Sequence, residues 1–257
     1  MNDKVVKFIF FGSSRFSKIV LEELGQVGLK PIFKVTSARS ELNVAELKAL
    51  KADVLVVASF GKIIPREILD LPRLGALNVH PSLLPRLRGP SPIQNTILLD
   101  EEPGVTIIKM DEEVDHGPIL GQEKVEIKPW PDNYEVVEEK LARAGGKLLI
   151  KVLPEWIEGK RQELPQDEKL ATYTKLLEKE DGLLDPSLGP EKKLRKVLAY
   201  STWPGAYFTY ERQDGKVIRV LVKDAEVIEG VFFPTKVVPA GKKEMSWPDF
   251  LRGNSKS

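Results

Sequence analysis

Short apolar runs alternating with stretches of helical period constrain the fold of this chain more than any other feature. Val5–Phe11, Pro31–Val35, Asp53–Ala58 and Ala76–His80 each read as a strand bounded by turn residues. Between the first two runs, Phe16, Ile19, Val20 and Leu24 fall on one helical face, and Val44–Leu50 is helical before the third. Val105–Met110 reads as a further strand and Tyr134–Ile157 as a long amphipathic helix that closes the domain. Short connections between such elements predict a mostly parallel sheet with helices on both faces. Gly12-Ser13-Ser14 stands where a dinucleotide loop would, but lacks the three-glycine spacing that lets backbone approach a pyrophosphate, which argues against NAD.

After Gly159 the texture changes. Residues 161–192 are polar and turn-rich and read as a linker. A helix carrying Leu194, Val197 and Leu198 follows, then β-rich segments at Ala206–Tyr210, Val217–Val222 and Val231–Val238, with Asp214-Gly215 as a hairpin turn. The expected organisation is therefore an α/β domain over residues 1–160, a linker over 161–192, and over 193–257 a small β domain resembling a partly open, OB-like barrel.

Composition excludes several classes of chemistry. The balance of 39 basic and 38 acidic residues rules out a polycationic protein, although a mild basic excess lies in the C-terminal part. With no cysteine there is neither a disulfide framework nor a thiolate nucleophile, and with two histidines no metal site is expected. The N-terminal apolar run is too short for a signal peptide or a membrane span, so a cytoplasmic protein with no membrane partner is expected.

Against that background His80 stands out. In a strand ending Asn78-Val79-His80, the two polar side chains share a face, roughly 6.6 Å apart along the strand. The loop that follows, Pro81 to Pro92, contains four prolines and Gly89, which exclude regular structure while limiting backbone freedom. Ser91-Pro92 then supplies an N-cap and first-turn proline for a helix through Leu99. A third element, Val114-Asp115-His116-Gly117-Pro118, follows the Val105–Met110 strand. Asp before Gly and Pro is ordinary turn chemistry, and a scarce histidine is often only a satisfied polar residue. If the two strands are neighbours, however, amide, imidazole and carboxylate line one cleft.

The run Asn78-Val79-His80-Pro81-Ser82-Leu83-Leu84-Pro85, followed by Arg88-Gly89, Pro92-Ile93-Gln94, Gly104-Val105-Thr106 and Asp115-His116-Gly117-Pro118, closely resembles the formyltetrahydrofolate-dependent formyltransferases. Thr172-Tyr173, Lys179-Glu180-Asp181-Gly182, Trp203-Pro204-Gly205-Ala206-Tyr207 and Pro239 to Ser246 resemble the branch that acts on methionyl-tRNA. The resemblance implies a Rossmann-like catalytic domain and an enzyme that moves the formyl group of 10-formyltetrahydrofolate to the α-amino group of methionine on initiator tRNA. It implies that Asn78 and His80 donate to the oxyanion, that Asp115 supports the charged imidazole and moves protons, and that Ser82, Leu83, Leu84 and Pro85 bind the folate. Gly61 to Ile64 would form another wall of that slot, and a monomer is expected. His116 stands outside the family motif and reads as a turn residue.

One departure concerns the acceptor. Val35 to Ser40 passes almost at once to Val44, where the family usually carries a basic loop and more sheet and helix, so about thirty family positions are missing. Lys192, Lys193, Arg195, Lys196, Lys242 and Lys243 are then candidate phosphate contacts, each equally readable as solvated surface charge. A formyltransferase acting on a nucleotide-linked amino sugar, or an RNA-binding adaptor without turnover, stay open as alternatives. A glycinamide ribonucleotide formyltransferase would not need this C-terminal β domain.

Overall fold

The computed structural model describes residues 6–254. In chain order its elements are β1 (Phe8–Phe11), α1 (Arg15–Gln26), β2 (Phe33–Val35), α2 (Val44–Ala49), β3 (Val54–Val57), α3 (Arg66–Leu69), β4 (Ala76–His80), α4 (Pro92–Leu99), β5 (Gly104–Lys109), β6 (Ile119–Lys124) and α5 (Tyr134–Ile157). There follow α6 (Pro190–Ala199), β7 (Tyr207–Glu211), β8 (Val217–Ile228), β9 (Val231–Pro239), β10 (Met245–Ser246) and α7 (Trp247–Arg252). The expected start of the first strand at Val5 lies outside the described residues.

Among the described residues two compact units emerge: one comprises residues 6–92, Glu102–Glu126 and Glu138–Lys175; the other Ile93–Glu101, Ile127–Val137 and residues 176–254. The first contains a mixed six-stranded sheet of order β2-β1-β3-β4-β5-β6. Strands β2, β1, β3 and β4 are parallel, whereas β5 runs antiparallel to β4, and β6 to β5. All four residues of β1 are buried, as a continuous apolar run in an interior parallel strand should be.

Both faces of this sheet are covered. Ile9, Phe11, Leu55, Val57 and Ala76 share one core cluster with Leu47 of α2 and Ile68 and Leu69 of α3. On the other face Gly145 of α5 lies so close to Val79 that a Cβ there would stand 2.6 Å from Val79 Cγ1. Helix α1 starts with a reciprocal capping box between Ser14 and Ser17, and its buried stripe is Phe16, Ile19, Val20 and Leu24. Full burial of each such apolar side chain contributes about 1.5–3 kcal/mol. Arg143 reaches the buried Glu23 at 2.8 Å and Arg15 the buried Glu138 at 3.0 Å, which pins α1 to α5 with paired charges.

Two elements of this unit carry no clear sequence signal. Helix α3 spans only four residues. Strand β6 is an edge strand whose Gly121-Gln122-Glu123-Lys124 end breaks the apolar run. The polar stretch after Gly159, read as a linker, is tied into this unit as far as Lys175: Leu164 and Ile119 exchange backbone hydrogen bonds, as do Arg88 and the segment Thr172 to Thr174.

The second unit holds an antiparallel four-stranded sheet of order β10-β9-β8-β7. Leu184, Val197, Ala206, Val220, Val222, Val237 and Phe250 form its core, with Trp247 stacked on Phe250 at 5.3 Å. Strand β8 continues six residues past the expected end at Val222, because a register shift around Val222, Asp224 and Ala225 absorbs the polar interruption.

Candidate functional site

The site is assembled at the C-terminal end of β4. Antiparallel pairing sets His80 opposite Thr106 and Asn78 opposite Ile108, so the turn that leaves β5 comes back beside both polar side chains of β4. Asp115, held in the left-handed region at φ 53°, occupies that turn. Gly117 is obligatory there, since any side chain would overlap the carbonyl of Lys109.

Asn78, His80 and Asp115 converge. Asn78 Nδ2 donates to Asp115 Oδ1 at 3.1 Å, and His80 Nδ1 lies 3.5 Å from the same oxygen. Gly89 N–H donates to Asp115 Oδ2 at 2.8 Å. His80 is buried, and its Nε2 faces the carbonyl of Leu87 at 3.0 Å. A carbonyl only accepts, so Nε2 carries the proton and Nδ1 is the atom turned towards Asp115. Leu87 aims that carbonyl from the left-handed region, at φ 61°, anchored by its buried side chain and by a hydrogen bond from its N–H to Thr172 Oγ1.

The segment Ser82-Leu83-Leu84-Pro85 is held from within. Thr106 Oγ1 donates to the carbonyl of Ser82 at 2.6 Å and accepts from Leu84 N–H at 3.1 Å. Gln122 Nε2 donates to the carbonyl of Leu84 at 2.8 Å and to Thr106 Oγ1 at 2.9 Å. The Ser82 hydroxyl donates to the carbonyl of Arg86, and Ser82 and Leu84 are both buried, whereas Leu83 and Pro85 keep part of their surface exposed. Much of the backbone of this loop is thus engaged with β5 and β6. Gln122 went unnoticed in the sequence because β6 itself was unmarked.

Among the described residues, Arg88 is the largest fully buried side chain. It meets Glu168 in a two-pronged pair at 2.6 and 3.0 Å, donates to Tyr173 Oη at 3.1 Å, and donates twice to Gln166 Oε1. Glu168 raises the guanidinium pKa above its ordinary value, and Arg88 holds the Glu168 carboxyl below its own. His116, expected as a plain turn residue, contacts Asp111 at 2.6 Å and lies 3.5 Å from Glu168; the hydrogen bond to Asp111 raises its pKa.

Of the basic residues proposed for a polyanion, Arg195 is committed elsewhere, donating to the carbonyl of Ile97 at 3.0 Å and pairing with Asp100 at 2.7 Å. Lys193 and Lys196 reach the carbonyls of Pro186 and Leu183. Among the described residues no cluster of His, Cys, Asp or Glu is arranged to hold a metal ion, and no helix is long and apolar enough to cross a membrane.

Fold and site together define an α/β protein with its polar constellation beyond the end of a sheet strand, the usual place for chemistry in this architecture. Residues 11–153 match the formyl transferase family, and the chain belongs to it. A methionyl-tRNA formyltransferase from Dictyoglomus turgidum is 32% identical over an alignment of 307 positions that covers 96% of each chain. Another, from Chloroflexus aurantiacus, is 42% identical over 76% of this chain, but the match spans only 63% of that relative's length. A methionyl-tRNA formyltransferase from Clostridium thermocellum shares the fold with a TM-score of 0.69 at 18% identity, covering 94% of this chain and 99% of that one. HypX from Aquifex aeolicus in complex with tetrahydrofolic acid does so with a TM-score of 0.72 at 20% identity, over 95% of this chain and 46% of that one.

Proposed function

We propose that this chain transfers the formyl group of 10-formyltetrahydrofolate to the α-amino group of methionine carried on initiator tRNA. The observation that carries the reading is the meeting of Asn78, His80 and Asp115 at one point. In the transfer a neutral amine attacks the formyl carbon, an oxyanion and an ammonium develop, and collapse expels the folate nitrogen, which takes up the proton given off by the amine. Asn78 Nδ2 has two N–H donors and gives one to Asp115, so the second is available to the oxyanion. His80, its Nε2–H engaged by Leu87, presents Nδ1 to the reacting atoms, and Asp115 is the partner for the charged ring and a relay for the proton leaving the amine. No covalent enzyme intermediate is needed, in keeping with the absence of cysteine.

For the folate, Leu83 and Pro85 supply the accessible apolar surface of the Ser82–Pro85 loop, while Ser82 and buried Leu84 anchor it. The tetrahydrofolic acid in the HypX complex supports a folate in this fold. We assign the tRNA to the second unit, whose four-stranded sheet is read as part of an open barrel, with Lys192, Lys242 and Lys243 as phosphate contacts. The alignment of 307 positions with the Dictyoglomus relative exceeds the 257 residues here, so that relative carries segments this chain does not, as the short Thr36 to Asn43 connection suggests. The protein is read as a cytoplasmic monomer.

The test is formyl transfer from 10-formyltetrahydrofolate to initiator Met-tRNA, with elongator Met-tRNA and a dTDP-amino sugar in parallel. Transfer to the initiator alone is expected. Transfer to the sugar and to neither tRNA would keep the chemistry and overturn the acceptor, and folate binding without any transfer would favour the adaptor.

A further inference from the structure

We propose that Gln166 is a positioning residue for Asp115, and that the segment read as a linker thereby completes the transfer site; the inference rests on Asp115 working in the reaction as described above. The orientation of the Gln166 amide follows from its partners. Arg88 can only donate, and its Nε and Nη2 lie 3.1 and 2.9 Å from Oε1. Nε2 is therefore the donor that meets the carbonyls of Asp115, His116 and Gly117 at 2.8, 2.9 and 2.8 Å. Both polar atoms of Gln166 are occupied by the scaffold, so it holds the site without touching substrate.

Three successive carbonyls turned towards one point repel one another unless a donor sits between them. Gln166 supplies that donor to a turn already under constraint, with Asp115 in the left-handed region and Gly117 against the Lys109 carbonyl. From this turn the Asp115 carboxylate projects to Asn78, His80 and Gly89. The other side of the carboxylate is fixed by the same frame, because Gly89 directly follows Arg88, the buried partner of Gln166. Gln166 thus holds the turn that carries Asp115 and, through Arg88, the segment whose Gly89 N–H meets its carboxylate, and at such a site a displacement of about 1 Å is enough to cost on the order of a hundredfold in rate.

Two variants of the full chain separate positioning from general stability. Gln166→Met removes both polar ends, whereas Gln166→Glu keeps an acceptor for Arg88 but replaces the donor with a charged oxygen facing the three carbonyls, so it remains readable if the first variant does not fold. For the folded variants kcat is expected to fall at least about tenfold, with KM for 10-formyltetrahydrofolate and for Met-tRNA within about twofold. In an Asp115→Asn background the same changes are expected to lower the residual single-turnover rate by less than about twofold, because the group being positioned is gone. An unchanged kcat in a folded variant, or an equal loss in both backgrounds, overturns the inference while leaving the assignment of Asp115 standing. A wild-type rate for Asp115→Asn alone overturns that assignment and this inference with it.

Discussion

His80 donates its Nε2–H to the carbonyl of Leu87 at 3.0 Å, which turns Nδ1 of the same ring towards Asp115. Leu87 therefore sets the tautomer of the imidazole, and the left-handed backbone at that leucine is part of the site. His80→Ala and Asp115→Asn are each expected to lower kcat by about a hundred- to a thousandfold, with circular dichroism close to wild type. A near-normal rate in either variant removes that residue from the chemistry.

Thr106→Val retains the shape of the side chain but deprives the Ser82 carbonyl and the Leu84 N–H of their partner. Leaving buried groups unpaired costs about 1–3 kcal/mol each. With two such groups, urea unfolding should show a loss of about 2–6 kcal/mol, and KM for the folate donor should rise more than kcat falls. Unchanged folate KM would dissociate the loop from folate binding.

Gly145→Ala places a methyl group 2.6 Å from Val79 Cγ1, directly behind the strand that carries His80. Overpacking of this kind costs about 1–3 kcal/mol. The thermal midpoint should drop accordingly, and Val79→Ala in the same chain should recover part of it by making room. Absence of any recovery would locate the cost elsewhere.

His116 has its pKa raised, chiefly by the hydrogen bond to Asp111, with Glu113 and Glu168 adding to the effect. Its contribution to stability is complete below the unfolded value of about 6.5 and is lost as pH rises through the higher folded value. With only two histidines in the chain, an NMR titration can follow it directly. His116→Asn should narrow the stability difference between mildly acidic and alkaline pH, and identical pH profiles would discard the pairing.

Lys242→Glu combined with Lys243→Glu should raise KM for tRNA, less so as salt increases. Arg195→Ala should behave differently, lowering stability through loss of its Asp100 and Ile97 contacts with little change in that KM. A reversal of the two outcomes would exchange the structural and tRNA-facing roles.

Strands, long helices and the three polar residues of β4 and its neighbouring turn were legible because periodicity and local motif are properties of adjacent residues. Tyr134–Ile157 and Ala76–His80 coincide with the observed elements for this reason. Edge strand β6 and the continuation of β8 were not, since pairing with a neighbour can hold a polar stretch extended that its own pattern would release. Arg195 likewise looked like any exposed cation until Asp100 and Ile97 were seen beside it.

By itself, then, the sequence determined which segments alternate, that Asn78 and His80 share a face, and that cysteine chemistry is excluded. Only the tertiary structure decided which atom of His80 faces Asp115, that Thr106 and Gln122 hold the loop after it, and that Gln166 reaches the turn at Asp115. Those contacts join residues 7 to 51 positions apart. Their geometry follows from antiparallel pairing of β4, β5 and β6 and from the return of the later segment, which no short-range pattern encodes.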